Sequence, residues 1–172
     1  MNKKLDFLNS IKNQTAEFVD ASRVIEPDDE CDYHTLVLQY SGKNLKSVKL
    51  DLSFITDTNR EKIGFAEIQV FVSLIEDFQM RYFRDLIWTT NKLNYILPSG
   101  QLAANSDINS LYFKQTFPVN LTGSTESQCF AICKSLEKSV SVIDNLMVTL
   151  NAVATGTLPS KAIKLNPWSD YL

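Results

Sequence analysis

Glycine and proline are scarce, five of each in 172 residues. The glycines stand at 42, 64, 100, 123 and 156, so neither G-x-x-x-x-G-K nor G-x-G-x-x-G can be written. That excludes the backbone cradles that hold nucleotide phosphates. Histidine occurs once. His34 stands beside Tyr33 and Asp32, and an aspartate can orient an imidazole. Ser-His-Asp chemistry also needs a nucleophile on a strained turn, and no G-x-S-x-G is present, so His34 reads as a histidine at a strand mouth. Long apolar runs are missing too. No segment approaches the roughly 20 residues of a spanning helix. The start Met1-Asn2-Lys3-Lys4 invites a signal-peptide reading, but Asp6, Asn9 and Lys12 interrupt the apolar stretch it would need. A cytoplasmic protein with no membrane partner is expected, and the sequons Asn13-Gln14-Thr15 and Asn120-Leu121-Thr122 then count as chance.

Cysteine numbers three, an odd count that suits a reducing compartment better than a disulfide framework. Cys129 and Cys133 lie four apart on an apolar helical stripe. With one histidine in the chain and Cys31 remote, they read as small buried hydrophobes, and no metal or cofactor is expected. Positive charge is in deficit, 17 Lys and Arg against 20 Asp and Glu, for a net −3. No basic stripe appears, so nucleic acid is not an expected partner. Carboxylates are abundant, but nothing in the sequence brings two of them into a pocket, and the chain is expected not to be an enzyme. The run Glu26-Pro27-Asp28-Asp29-Glu30-Cys31-Asp32 lacks the glycine hinge and later glutamate of an EF-hand loop, which makes it a solvated connection.

What is present is a globular composition, 44% hydrophobic and 22% charged, with two periodicities. Leu5, Leu8, Ile11, Thr15 and Phe18 recur at helical spacing and predict a helix over 4–19. Leu36, Leu38 and Tyr40 alternate with polar or opposite-facing residues. After the turn Ser41-Gly42-Lys43-Asn44, Val48, Leu50, Leu52 and Phe54 alternate with Lys49, Asp51 and Ser53. Across the polar loop 56–62, Ala66, Ile68, Val70, Val72 and Leu74 form a third such face, with Phe65 and Phe71 on its wetter side. Period-2 alternation puts one sheet face on a core and the other in water, as an antiparallel sheet allows.

A helix is predicted over 77–97, ended by Pro98 and Gly100. Trp88 sits off its apolar stripe. A hairpin follows, 101–104 and 111–117, with Pro118 marking a stop or an edge. Thr125 and Gln128 are spaced as a capping box. Cys129, Cys133, Leu136, Val140, Ile143, Met147, Leu150 and Ala154 then hold a heptad seam that a partner helix or the sheet can share. The expected fold class is α+β: a twisted antiparallel sheet of about five strands with helices on one face, in the order α-β-β-β-α-β-β-α. A single domain over 1–159 carries a tail, 160–172, whose Ile163, Leu165, Trp168 and Tyr171 predict docking.

The stretch Thr90-Asn91-Lys92-Leu93-Asn94-Tyr95-Ile96-Leu97-Pro98-Ser99-Gly100-Gln101-Leu102 followed by Leu111-Tyr112-Phe113-Lys114 resembles the YbjN-like branch of the type III secretion chaperone-like fold. There a helix carrying asparagine runs through a glycine turn into a hairpin with an aromatic second strand. The element order to about residue 155 resembles that fold as well. Leu102 stands where the family more often has a bulky aromatic, and the hairpin turn here lacks glycine. The resemblance implies a non-enzymatic, often dimeric protein that holds other polypeptides or acts in regulation. The expectation is therefore a protein-binding module, a homodimer with an unidentified polypeptide partner. Trp88, Phe65, Phe71, Trp168 and Tyr171 are the candidate partner-facing residues. The alternative is a small-molecule module in which the aromatics of 78–95 (Phe78, Tyr82, Phe83, Trp88, Tyr95) line a pigment or lipid pocket.

Overall fold

The computed structural model describes residues 2–29, 33–55 and 58–171. Cys31 and Asp32, Glu30 of the acidic run, Thr56 and Asp57 of the polar loop, and the side chain of Tyr171 lie outside the described residues. The fold class is α+β. In chain order the elements are α1 (Lys3–Thr15), β1 (Ala21–Ile25), β2 (Thr35–Tyr40), β3 (Val48–Ile55), α2 (Thr58–Lys62), β4 (Phe65–Ile75), α3 (Phe83–Leu93), β5 (Gln101–Asn105), β6 (Ser110–Asn120), α4 (Thr125–Ala154) and α5 (Pro159–Ala162). The strands form one sheet in the order β1-β2-β3-β4-β6-β5, six strands rather than about five. Antiparallel register runs from Ala21↔Gln39 to Ile25↔Thr35 at one edge and from Gln101↔Lys114 to Asn105↔Ser110 at the other. Leu121 N donates to Gly64 O at one end of the β4–β6 pair, and Phe78 N donates to Asn109 O at the other. Partners whose numbers run in opposite directions make that pair antiparallel as well.

The expected alternation is present. Leu50, Leu52 and Phe54 of β3, Ala66, Ile68, Val70 and Val72 of β4, and Leu111, Phe113 and Val119 of β6 are buried, with Lys49, Asp51, Ser53, Glu67, Gln69, Lys114 and Thr116 on the opposite face. Pro118 lies inside β6, at a position beyond the reach of β5, whose pairing stops at Lys114. The missing N–H therefore costs no ladder bond.

The observed order adds β1 and the short helices α2 and α5 to the expected α-β-β-β-α-β-β-α, and the expected helices differ in detail. The first helix stops at Thr15, whose hydroxyl bonds back to Ile11 O at 2.9 Å; the chain then turns and enters β1, an edge strand with no apolar stripe to announce it. The helix predicted over 77–97 is Phe83–Leu93 with a 3-10 turn at Met80–Tyr82: Asp77 takes a left-handed φ of 56° ahead of it, and the chain leaves it through a turn at 94–96, where Tyr95 N bonds Lys92 O and Ile96 N bonds Leu93 O. At α4 the capping box between Thr125 and Gln128 does not form. The Gln128 amide instead accepts from Asn120 N at 2.7 Å and donates to Asn120 O at 3.0 Å, tying the end of β6 to the helix.

The chain divides into two compact units, and β4, β6 and α4 each run through both. In the first unit (1–40, 49–71 and 115–137) α1 and the first turns of α4 lie on the buried sheet face. Phe7 meets Phe54 edge-on, with ring centroids 6.3 Å apart, and buried Gln115 of β6 reaches Ser135 of α4 at 3.0 Å. The thiol of Cys129 donates to Phe7 O at 3.6 Å and that of Cys133 to Ile11 O at 3.9 Å, joining α4 to α1.

The second unit (41–48, 72–114 and 138–172) has α3, the β5–β6 hairpin, the rest of α4 and the tail. Asn94 clamps the hairpin: its side chain accepts from Leu102 N at 2.7 Å and donates to Leu102 O at 3.0 Å. Gly100 has φ +79°, and a Cβ there would stand 2.4 Å from the Phe113 ring, so only glycine fits this turn. The tail is ordered. Ala162 and Asn166 are buried, and Thr149 of α4 donates to Ala162 O at 3.2 Å.

Candidate functional site

Partner-facing residues should be apolar, exposed and beside a concavity. The residues singled out from sequence do not meet that test together. In the first unit Phe65 is exposed and Phe71 half-buried on the open sheet face. In the second, Trp88 is 46% exposed with the Lys92 ammonium 5.7 Å from its ring centre, and Trp168 is half-buried.

The aromatics of 78–95 form no pocket among the described residues. Phe78 and Phe83 stack at 6.2 Å, Tyr82 fills the space beside Gly156, and Tyr95 is 84% exposed. They serve packing or point outward, and do not gather into a cluster that supports a pigment or lipid site. The heptad seam is likewise occupied: Cys129, Cys133, Leu136, Val140, Ile143, Met147 and Leu150 are buried within the chain, so that stripe is not open to a partner helix.

Two features with chemical potential prove self-contained. His34 Nε2 pairs with Glu26 Oε2 at 2.8 Å. Asp144 of α4, 7% exposed, receives three converging backbone N–H groups, from Lys43 at 3.0 Å, Asn44 at 2.8 Å and Leu45 at 2.6 Å. Three such donors make an anion nest, and here the protein's own carboxylate fills it. Gly42 is required beside it, because a Cβ there would stand 2.4 Å from the Asp144 carboxylate.

A cleft of about 830 Å³ opens in the first unit, between the end of α1 and the first three turns of α4. From α1 and the turn after it come Asn13, Gln14, Glu17 and Phe18; from α4 and its lead-in come Ser124, Glu126, Ser127, Phe130, Cys133, Lys134 and Glu137. The seam residues of α4 turn into the core, which forces Glu126, Phe130, Lys134 and Glu137, spaced by four, four and three, onto the outer side. Phe130 is 59% exposed. The Gln14 amide crosses the cleft, donating to Ser10 Oγ at 3.3 Å and to Glu126 O at 3.4 Å, while its Oε1 is buried with no partner. Lys134 Nζ bonds Glu137 Oε2 at 2.8 Å, and that bond, with the nearby Glu17, holds the ammonium above its ordinary value.

Burial, and then the Cys129 thiol beside it, push the Cys133 thiol up to about 12, and burial raises Cys129 as well. Neither sulfur is a nucleophile at neutral pH. The cleft thus presents an exposed phenyl ring and three carboxylates against one ammonium. Among the residues lining it, no general base is paired with a nucleophile.

Sequence reasoning missed the cleft, although the signal was there. Phe130 is a large apolar residue off the apolar stripe of its helix, the property that drew attention to Trp88. Among the described residues no three His, Cys, Asp or Glu side chains group to hold a metal, and no helix is long and apolar enough to cross a membrane. Compared with family models, curated proteins and solved structures, the chain matches none.

Proposed function

We propose that this chain is a non-enzymatic protein-binding module that takes a polypeptide segment in the cleft between α1 and α4. The observation that carries the reading is Phe130, 59% exposed on the wall of a cleft whose other lining residues, apart from Phe18 and Cys133, are polar or charged. An exposed phenyl costs hydration free energy, and covering it contributes about 1–2 kcal/mol of binding. A surplus of carboxylate selects basic segments over acidic ones.

The resemblance of the Thr90–Lys114 stretch to the YbjN-like branch of the secretion-chaperone fold points the same way, toward a chaperone-like or regulatory role among polypeptides. Panning a library of 15-residue peptides against the intact protein tests the reading. Basic amphipathic sequences should be enriched, and Phe130→Ser should weaken their binding about tenfold without changing the melting temperature. Enrichment unaffected by that substitution would place the binding surface elsewhere.

A further inference from the structure

We infer that the segment filling this cleft is the C-terminal stretch Leu158–Leu165 of a second copy of the chain. The inference rests on the cleft being a polypeptide site and adds the identity of the occupant. Leu158 and Leu165 are 58% and 53% exposed, too much apolar surface for residues whose neighbours Ala162 and Asn166 are buried. Lys161 and Lys164, between them, are exposed as well. Leu158 caps the single turn of α5, and Leu165 ends the 3-10 turn Ile163–Leu165 that follows it, so the two exposed leucines bracket the two lysines.

The stretch is also one-signed. No carboxylate occurs between Asp144 and Asp170, and Lys161 and Lys164 are the only charges there. The cleft presents the complement: Glu17, Glu126 and Glu137 against Lys134, a surplus of two negative charges, around Phe130. Two lysines meet two surplus carboxylates, and leucines meet the exposed ring. The α4 seam is buried, so self-association uses this pair of surfaces and not a shared coiled coil.

Reciprocal exchange of the two stretches closes a two-fold dimer, whereas one-way insertion propagates head to tail. The long-range attraction across the interface is screened beyond about 10 Å at 0.1 M salt. Sedimentation equilibrium on the full chain tests it, with charge reversal on each side separately. Glu17→Lys with Glu126→Lys reverses the cleft; Lys161→Glu with Lys164→Glu reverses the stretch. Wild type should self-associate, and each variant alone should do so about tenfold less tightly. An equimolar mixture of the two should recover association, because each cleft then faces a stretch of opposite sign.

Uncharged controls, Phe130→Ser and Leu165→Ser, should weaken wild-type association without involving charge. All these positions are exposed or half-buried and should leave the thermal unfolding curve in place. Wild type that stays monomeric at about 100 μM, or a mixture that fails to recover association, overturns the inference. If such a monomer still binds an added basic amphipathic peptide through Phe130, the cleft stands as a polypeptide site and the second copy is ruled out as its occupant.

Discussion

Asp144 shows how one side chain can stand in for a hydrogen-bonded strand pair. Its carboxylate satisfies three N–H groups of the loop between β2 and β3, and Asn44 Nδ2 returns a bond to Asp144 O at 2.9 Å. Removing it leaves several buried donors without partners. Asp144→Ala should therefore cost roughly 3 kcal/mol in a urea titration, and a loss below 1 kcal/mol would mean that water replaces the carboxylate freely. Asp51 works in the opposite sense. Burial raises its carboxyl above the ordinary value, with the Lys49 ammonium lowering it by less. The folded state then binds a proton more tightly than the unfolded state, so stability falls as pH rises through that window. Asp51→Asn should raise the melting temperature at pH 7 and leave it unchanged near pH 3, where both states are protonated. Cys129 and Cys133 complete this scale. With raised thiols and buried sulfurs, both should resist iodoacetamide at pH 8 in the native protein and alkylate on denaturation, as peptide mapping would record.

At the scale of elements, what was legible had a period. Val48–Phe54 and Ala66–Leu74 alternated cleanly because each strand has a helix-covered face and an open one, and α4 ran as far as its seam of apolar residues. What was not legible had no stripe to show. β1 is an edge strand exposed at every second residue, α2 is five polar residues long, and α3 lies between the left-handed Asp77 and the turn at 94–96. The turn from α3 into β5 was read correctly from Pro98 and Gly100, but the clamp that fixes it was not, since Asn94 makes its bonds across eight residues. Asn94→Ala should cost roughly 2 kcal/mol, one for each bond to Leu102. Gly100→Ala should cost more than the 1 kcal/mol or so of a forced left-handed residue, because the new methyl meets the Phe113 ring. Equal stability of either variant in chemical denaturation would contradict the clamp.

For the molecule as a whole, the proposed function rests on how the two sides of the long helix are used. The seam of α4 goes into the core, and its outer side near the start becomes the wall of a cleft. The candidate site was therefore hidden in the same residues that made the helix easy to find: attention fell on the stripe, and Phe130 lies off it. Trp88 and Phe65 are exposed too, but neither lines the cleft that holds Phe130, so exposure alone did not find it. Two-dimensional NMR of the labelled protein, titrated with a basic amphipathic peptide, tests the central claim most directly. Shifts confined to residues 13–18 and 124–137 are the predicted result; shifts centred on Phe65 and Phe71 of the open sheet face, or on Trp88, would contradict it.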